Sequence, residues 1–282
     1  MIIIDYNAIA IGNIVTQRLD IQEDLIRHMI LNSIRMYNKK FRNEYGQMVI
    51  ACDSSSWRKD SFPQYKYKRK TGREESSMDW NDIFRIITMV REEIEANLPY
   101  KVIKIDGAEA DDIIGALAIE SQEFGKNEPI MIVSSDKDFI QVHKYDNVKQ
   151  FSPMQKKLVK HDQPRTYILE HIFKGDSSDG VPNVLSPDNT FVDGIRQSPM
   201  TKKKIEHWIQ NIDKLEDVMD QETYRNYIRN KTMISLEEMP KSVYQNIINR
   251  FNEIVTPHKM KVLNYLIKKR CKNLIESVEE FY

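Results

Sequence analysis

The chain has 282 residues, of which 40% are apolar and 30% are charged. This length and composition suit a globular protein with one large domain or two smaller ones, and they exclude a disordered chain. A membrane helix needs about 20 consecutive apolar residues, and no stretch of the sequence approaches that. An acid follows three isoleucines at the start, which argues against a signal peptide. The two cysteines, Cys52 and Cys271, favour a reducing cytosol over a disulfide framework.

Positive charge is concentrated in one segment, although the whole chain is neutral, with 42 basic and 42 acidic residues. A net charge of zero taken alone argues against a nucleic-acid partner. Residues 57–73 nevertheless read WRKDSFPQYKYKRKTGR, with Asp60 as the single acid among seven bases: Arg58, Lys59, Lys66, Lys68, Arg69, Lys70 and Arg73. The compensating acids must therefore be concentrated elsewhere.

Short apolar runs alternate with helical patterns in the first part of the chain. The runs MIIID, MVIACD, KVIKID and PIMIVSSD predict strands. The spacing of apolar residues predicts helices from about Asp20 to Tyr45, from about Asp79 to Asn97, and from AEADD through Phe124 to an end at Gly125. This alternation predicts an α/β fold with a mostly parallel central sheet and helices on both faces.

The patterns change after about residue 165, where every apolar repeat has helical spacing. We therefore predict two domains, with a boundary near residue 170. Residues 1–170 form the α/β domain and include the basic segment at about 57–78, and residues 171–282 form a helical domain.

Acidic residues end each of the predicted strands. The carboxyl ends of parallel strands meet at one edge of a sheet, so these acids should converge in one crevice. Asp and Glu are also common in turns and in first helical turns, so any one of them alone is more often structural. We assign Asp106 and Asp112 to that structural class. The acids at strand ends or in the two adjoining acidic motifs are Asp5, Asp53, Asp106, Glu109, Asp111, Asp112, Asp136, Asp138, Asp176 and Asp179.

So many like charges in one cleft require cations to neutralise them. Oxygen ligands without Cys or His at metal-binding spacing select magnesium or manganese. Enough carboxylates for two ions predict two-metal phosphodiester hydrolysis. When nine of these acids (all but Asp106) are set aside, 42 bases remain against 33 acids, so the rest of the chain is basic by nine. That balance is compatible with a nucleic-acid partner.

The basic segment interleaves tyrosines with its positive charges, in the sequence PQYKYKRK. Basic side chains can contact phosphates while Tyr65 and Tyr67 offer rings on which unpaired bases stack. The alternative is a solvated loop with incidental positive charge. Its position directly after the strand that ends at Asp53 favours the first interpretation.

Five motifs resemble those of the structure-specific 5′ nucleases, the family of flap endonucleases and of the 5′ nuclease domains of bacterial DNA polymerases. They are IIIDYNAIA, IACDSSSWRKD, AEADDIIGALA, VSSDKDFIQV and GDSSDGVPNV, in the family's order over about residues 1–185. A narrower similarity, to phage members, extends towards the C-terminus. The resemblance implies a PIN-like nuclease core and a helical domain with a helix–hairpin–helix variant.

The resemblance also implies site residues and cofactors. Two Mg²⁺ ions, which Mn²⁺ can replace, would be bound by two sets of carboxylates: Asp5, Asp53, Glu109, Asp111 and Asp136 for the first, and Asp138, Asp176 and Asp179 for the second. Asp112 matches an acidic position beside the ligands in microbial members. Lys66 and Arg69 match the basic pair that reaches the scissile phosphate. Further nucleic-acid contacts are predicted for Arg58, Tyr65, Tyr67, Lys68, Lys70, Lys202, Lys203 and Lys204.

The chain departs from the family where most members have a glycine-rich hairpin. After Val181 and Pro182 it continues NVLSPDNTFVDGIRQSPMTKKK. The departure leaves open whether this hairpin binds a potassium ion. The three lysines that end this stretch lie at a predicted helix start, where phosphate binds well.

We therefore expect a monomeric, Mg²⁺-dependent 5′→3′ exonuclease and flap endonuclease, acting on flapped, nicked or branched DNA and on RNA·DNA duplexes during lagging-strand synthesis. Expected partners are the phage single-stranded DNA-binding protein and sliding clamp, and the expected location is the cytoplasm of an infected bacterium. A PIN-type ribonuclease would not need the helical domain. A haloacid-dehalogenase phosphatase would need Asp where Asn7 stands. A silent nucleic-acid scaffold predicts lost acids, and none is missing.

Overall fold

The structure is a computed structural model that describes residues 1–17, 21–123 and 126–282. These residues form two compact units. The sheet unit contains residues 1–55, 79–160 and 241–282, and the helical unit contains residues 56–78 and 161–240. The predicted helix start at Asp20, and the predicted helix end at Phe124 and Gly125, lie outside the described residues.

A six-stranded sheet with the strand order β3-β2-β1-β4-β5-β6 forms the centre of the sheet unit. All neighbouring strands are parallel except β5 and β6. Every residue of β1, β2 and β4 is buried, because helices cover both faces and favour continuous apolar runs. The α/β prediction is thus confirmed. The strands are β1 (Ile2–Asp5), β2 (Met48–Ala51), β3 (Lys101–Ile103), β4 (Ile130–Val133), β5 (Val148–Ser152) and β6 (Lys157–Val159).

Thirteen α-helices lie in the described residues, and none of those residues forms a helix long and apolar enough to span a membrane. The helices are α1 (Tyr6–Gln17), α2 (Glu23–Tyr45), α3 (Arg58–Ser61), α4 (Tyr67–Glu74), α5 (Trp80–Asn97), α6 (Ala110–Glu120), α7 (Pro164–Lys174), α8 (Lys202–Gln210), α9 (Leu215–Val218), α10 (Gln221–Ile234), α11 (Lys241–Glu253), α12 (Met260–Lys268) and α13 (Lys272–Ile275).

Helix α2 shows how the sequence sets these elements. Its buried residues recur at intervals of three and four, including Ile26, Ile30 and Ile34, which makes one continuous apolar face. Acids occupy its first turn, where they complement the helix dipole. The helix ends at Gly46, whose φ of 73° is accessible to glycine at little cost.

Residues 241–282 pack within the sheet unit, so the division between the two units differs from the expected single boundary near residue 170. Helix α11 packs on α6 and β3, and α12 packs on α5. The hydroxyl of Tyr100 donates a hydrogen bond to the carbonyl oxygen of Phe281 at 2.7 Å. Helical spacing in a sequence shows that a face is apolar, but it does not show which surface that face will cover.

The helical unit has its own aromatic centre. The ring of Phe173 lies 5.2 Å from that of Trp208 and 5.5 Å from that of Tyr227, measured between centroids. These three side chains come from α7, α8 and α10 and are all buried. Aromatic contacts of this kind bury a large apolar area and fix the packing of three short helices.

We expect Phe281→Ala to lower the free energy of unfolding of the sheet unit by about 3–5 kcal/mol, because the Phe281 side chain is fully buried and its loss leaves a cavity. Met260→Ala is the matched control, because Met260 lies in the same segment but is 72% exposed and should change stability by no more than about 0.5 kcal/mol. Urea unfolding of both variants measures the difference. Equal stabilities would show that the segment after residue 240 contributes little to the unit.

Candidate functional site

Three acids lie at one edge of the sheet, where β2, β1 and β4 end side by side. Asp5 is the last residue of β1 and pairs in register with Ala51 of β2. Asp53 follows the end of β2 by two residues, and Asp136 follows the end of β4 by three. Because both neighbours of β1 run parallel to it, the three chain segments leave the sheet in the same direction.

Asp5 is the central acid of this group and is only 6% exposed. One carboxylate oxygen accepts a hydrogen bond from the backbone N–H of Ala8 at 3.1 Å, and the other accepts one from the hydroxyl of Ser134 at 2.9 Å. Burial, and then the nearby charges of Asp53 and Asp136, raise the pKa of Asp5 from 3.8 to about 7 despite these bonds. The protein thus holds more negative charge at this point than its own groups stabilise.

The start of α6 is attached to the same edge through Asp53. The backbone N–H of Ala110 donates to a carboxylate oxygen of Asp53 at 2.8 Å. Behind it, the fully buried carboxylate of Asp112 accepts a hydrogen bond from the backbone N–H of Glu109 at 2.9 Å. These bonds fix the first turn of α6, which also carries Asp111. Asp112 therefore orients the chain at a predicted ligand.

Hydrogen bonds also fix the segment that follows β4. The backbone N–H of Asp138 donates to the carboxylate of Asp136 at 2.9 Å, and the N–H of Asp136 points to the hydroxyl oxygen of Ser134 at 3.2 Å. The side-chain amide of Gln150, on β5, donates to the backbone oxygen of Asp136 at 2.6 Å. Ser134 thus links the two strand ends that carry Asp5 and Asp136.

This donor set fits a hard divalent cation. It offers carboxylate oxygens from several chain segments, and one of them is buried with a raised pKa that a cation would lower again. Asp106 lies near the same edge, but its carboxylate is exposed and accepts a hydrogen bond from the hydroxyl of Ser54 at 3.2 Å.

In the helical unit, Asp179 binds the basic segment. Its carboxylate accepts hydrogen bonds from the hydroxyl of Tyr65 at 3.0 Å and from the guanidinium of Arg69 at 2.6 Å, and the ammonium of Lys66 lies 3.5 Å from it. The backbone N–H of Lys66 also donates to the backbone oxygen of Asp179 at 2.7 Å. All four residues were singled out in the sequence, but nothing in the sequence indicated that they pair.

Gly180 makes this approach possible. Its φ is +75°, and a Cβ atom there would lie 2.9 Å from the backbone oxygen of Gln64, closer than real Cβ atoms come. Glycine is therefore required at this position for two independent reasons. The turn itself is closed by paired backbone hydrogen bonds between Asp176 and Val181, at 2.8 and 2.7 Å.

Asp176 has a histidine partner that sequence reasoning missed. Its carboxylate accepts two hydrogen bonds from Ser178, from the backbone N–H at 2.7 Å and from the hydroxyl at 2.6 Å. The Nε2 atom of His171 lies 3.4 Å from the same carboxylate. Burial alone would raise the pKa of Asp176, but the bonds from His171 and Ser178 outweigh it and hold that pKa well below its usual range. The sequence showed no histidine at metal-binding spacing, so it did not indicate this contact.

Two of the predicted nucleic-acid contacts do not fit the structure. Arg58 is only 2% exposed, and its guanidinium donates to the backbone oxygen of Met233 at 2.8 Å. Tyr65 is 4% exposed with its hydroxyl on Asp179, so its ring is not open for stacking. Alternation of Tyr and Lys in a sequence does not show which ring faces the protein. Apart from Lys70, whose side chain lies outside the described residues, the remaining candidates are exposed: Tyr67, Lys68, Lys202, Lys203 and Lys204.

The overall fold is similar to that of phage T5 nucleases. The T5 5′-exonuclease with bound zinc ions shares the fold with a TM-score of 0.60, at 15% identity over 90% of this chain and 98% of that one. The T5 flap endonuclease in a complex with DNA and metal ions gives a TM-score of 0.59, also at 15% identity, over 99% of this chain and 98% of that one.

The family profile described as "5′-3′ exonuclease, N-terminal resolvase-like domain" matches residues 2–170. The chain belongs to this family of 5′–3′ exonucleases, and it is accordingly a nuclease, a hydrolase of phosphodiester bonds. Ribonuclease H of Enterobacteria phage T4 is 34% identical over 291 residues, which cover 99% of this chain and 95% of that protein. Residues 163–281 match the profile of the C-terminal part of T4 RNase H. The 5′-3′ exonuclease of Buchnera aphidicola (Schizaphis graminum) is 31% identical over 52% of this chain and 50% of that protein.

Metal-free protein should lose stability as the pH rises from about 4 to about 7, in part because of Asp5. The pKa of Asp5 is higher in the folded state than in the unfolded state. The contribution of this carboxyl to stability is therefore fully present below the unfolded-state pKa and is lost as the pH rises through the folded-state pKa. Asp5→Asn removes that titration. We expect the free energy of unfolding of Asp5→Asn, relative to that of wild type, to rise across this window by at most about 1.4 kcal/mol per pH unit.

Urea unfolding in chelator at several pH values measures this gain. Asp106→Asn is the control. The Asp106 carboxyl near the same edge is exposed, so this substitution should change the free energy of unfolding by no more than about 0.5 kcal/mol. A constant difference between Asp5→Asn and wild type would show that Asp5 is not held among like charges.

Proposed function

We propose that the chain is a Mg²⁺-dependent 5′→3′ exonuclease and flap endonuclease that cleaves DNA·DNA and RNA·DNA duplexes and leaves 5′-phosphates. The observation that carries this proposal is the convergence of Asp5, Asp53 and Asp136 at three adjacent strand ends, with the pKa of Asp5 raised to about 7. A carboxylate that still binds a proton near neutral pH, as Asp5 does, is well placed to bind a cation instead.

Two Mg²⁺ ions would be held by the predicted carboxylates, with Mn²⁺ able to replace them because the donors are all oxygens. The first ion would be bound by Asp5, Asp53, Glu109, Asp111 and Asp136, and the second by Asp138, Asp176 and Asp179. When bound, such ions activate the attacking water and stabilise the leaving oxygen. The second set stays a prediction from the sequence.

The side chains around these acids would set the geometry before substrate arrives. Ser134 orients Asp5, the N–H of Ala110 holds Asp53, and Asp112 holds the backbone at Glu109. Each of these bonds restricts a carboxylate or its backbone to one position. Catalytic groups that are fixed in advance do not need to reorganise during the reaction.

The basic segment would bind the phosphate chain of the substrate. Asp179 holds both Lys66 and Arg69, which fixes two cations on one turn of chain. Asp179 is also a predicted ligand of the second ion, and in that role the ion would compete with these two side-chain cations. Tyr67, which is 55% exposed, is the ring in this segment that unpaired bases can stack on.

The relatives support this choice of substrates. The T5 flap endonuclease was solved with DNA and metal ions, and the T4 relative is a ribonuclease H. We accordingly assign the removal of RNA primers and adjacent DNA in lagging-strand synthesis, with the phage single-stranded DNA-binding protein and sliding clamp as expected partners. The rival functions are a PIN-type ribonuclease, which would cleave single-stranded RNA and ignore flaps, and a silent scaffold, which would bind flaps without cutting them.

Asp136→Asn should reduce cleavage of a 5′-labelled flap by at least about a hundredfold while leaving flap binding within about threefold of wild type. The substitution keeps the size of the side chain and removes one negative charge from the three-acid group. Single-turnover cleavage with and without Mg²⁺, together with binding in chelator, separates the two effects. Asp106→Asn is the control and should cleave as wild type does. Cleavage by wild type in chelator, or full activity of Asp136→Asn, would contradict the metal mechanism.

Replacing Lys66 or Arg69 with Ala should lower the single-turnover rate by more than it weakens binding, if these cations stabilise charge on the reacting phosphate. Lys68→Ala is the control. Its ammonium is exposed and lies over the ring of Phe191 at 5.3 Å, so its loss should mainly weaken binding and reduce the salt dependence by about one phosphate contact. If all three variants lose binding and rate in equal proportion, the segment is only a basic loop.

A further inference from the structure

A buried arginine stands among backbone carbonyl oxygens in the helical unit. Arg229, on α10, has a side chain that is only 7% exposed. Its guanidinium donates to the backbone oxygens of Pro182 at 2.9 Å, of Asn183 at 3.3 Å and of Ser186 at 3.3 Å. It also donates to the carboxylate of Asp188 at 2.5 Å. One cation thus binds three carbonyls and one carboxylate within a stretch of seven residues.

These buried oxygens need hydrogen-bond donors or a cation. Ser186 is fully buried and Asn183 is 6% exposed, so their carbonyl groups are shielded from water and would be costly to leave unpaired. Several carbonyl oxygens that turn inward towards one point also form the kind of site that takes a monovalent metal ion. In this chain the point is occupied by Arg229, and arginine keeps its charge even when burial lowers its pKa, as it does here.

We infer that Arg229 is a built-in cation that replaces a bound potassium ion in the segment from Pro182 to Asp188. This is the stretch in which the sequence departs from the glycine-rich hairpin of related nucleases. The donor set does not fit an added monovalent cation. Asp188 already binds two guanidinium groups, those of Arg229 and Arg225, so a further positive charge would face two existing ones.

Neighbouring amides complete the arrangement. The side chain of Asn226 donates to the backbone oxygen of Val184 at 3.1 Å, and that of Asn230 donates to the backbone oxygen of Pro182 at 2.9 Å. Arg229 itself donates to the side-chain oxygens of both, at 3.2 and 2.9 Å. One face of α10 therefore supplies the side chains that hold the whole segment, and Arg229 is the charged member of that face.

The held segment leads to the lysines at the start of α8. The side chain of Asn183 donates to the backbone oxygen of Ser198 at 2.9 Å, and the backbone N–H of Ser198 donates to the hydroxyl oxygen of Ser186 at 2.9 Å. Thr201 then caps α8, whose first residue is Lys202. Arg229 is accordingly a positioning residue for the start of α8, where the three predicted phosphate-binding lysines lie, and it acts through the backbone of the intervening segment.

The first test uses the unmodified protein and measures duplex binding by fluorescence anisotropy in chelator, in potassium, sodium or tetramethylammonium chloride at matched ionic strength. The DNA readout rests on the proposed function, but thermal melting in the same salts does not. We expect affinities within about twofold of each other and equal melting temperatures. A gain of about tenfold in affinity, or a higher melting temperature, in potassium alone would overturn the inference. If no salt supports duplex binding, the proposed function fails and the melting series still decides.

The second test compares Arg229→Met with Arg225→Met. Both variants lose a cation that binds Asp188, but the Arg225 side chain is 57% exposed and only Arg229 binds the three carbonyls. We expect Arg229→Met to melt lower and to bind duplex at least about tenfold more weakly in tetramethylammonium, with potassium restoring part of both losses. Arg225→Met should stay near wild type in every salt. Identical behaviour of the two variants would overturn the inference, and if Arg229→Met does not fold, the salt series on wild type decides.

Discussion

Mutual repulsion of carboxylates is the constraint on which the sheet unit depends. Parallel pairing of β1 with both β2 and β4 brings Asp5, Asp53 and Asp136 to one edge. Asp5 is buried, so water screens its charge poorly, whereas Asp53 and Asp136 are exposed. The hydroxyl of Ser134 and the N–H of Ala8 reduce this cost without removing it, since the pKa of Asp5 stays raised. Because the folded state retains this repulsion between carboxylates, the stability of the site depends on what binds there.

In the helical unit, by contrast, carboxylates are paired with basic side chains of the same unit. Asp179 has Lys66 and Arg69 against it, and Asp188 has Arg225 and Arg229. The pKa of Asp188 is lowered, because the bonds from its two arginines outweigh the effect of burial. Cations supplied by side chains order the turns of this unit, whereas the proposed function has the acids at the sheet edge neutralised by a cation from solution.

Much of the site could be read from the sequence because it depends on strand ends. An acid that directly follows an apolar run, such as Asp5 or Asp136, has its position set by the strand before it. Side chains whose position depends on tertiary packing could not be placed in this way. Nothing local distinguishes Tyr65, which is buried, from Tyr67, which is exposed, and Arg229 lies about forty residues from the carbonyls that it binds. The same limit hid His171 as a partner of Asp176.

The sheet unit is assembled from three separate stretches of chain, with residues 241–282 as the last of them. The central strand β1 is synthesised first. Both of its edges can be paired only after β4, about 130 residues later, has been made. Contacts between such distant parts of a chain form slowly, because the loop between them must close first. During synthesis on the ribosome, β1 therefore lacks its β4 neighbour until nearly half of the chain has been made. The three acids at the sheet edge can come together only after Asp136 has been made, so a shorter nascent chain lacks the complete group.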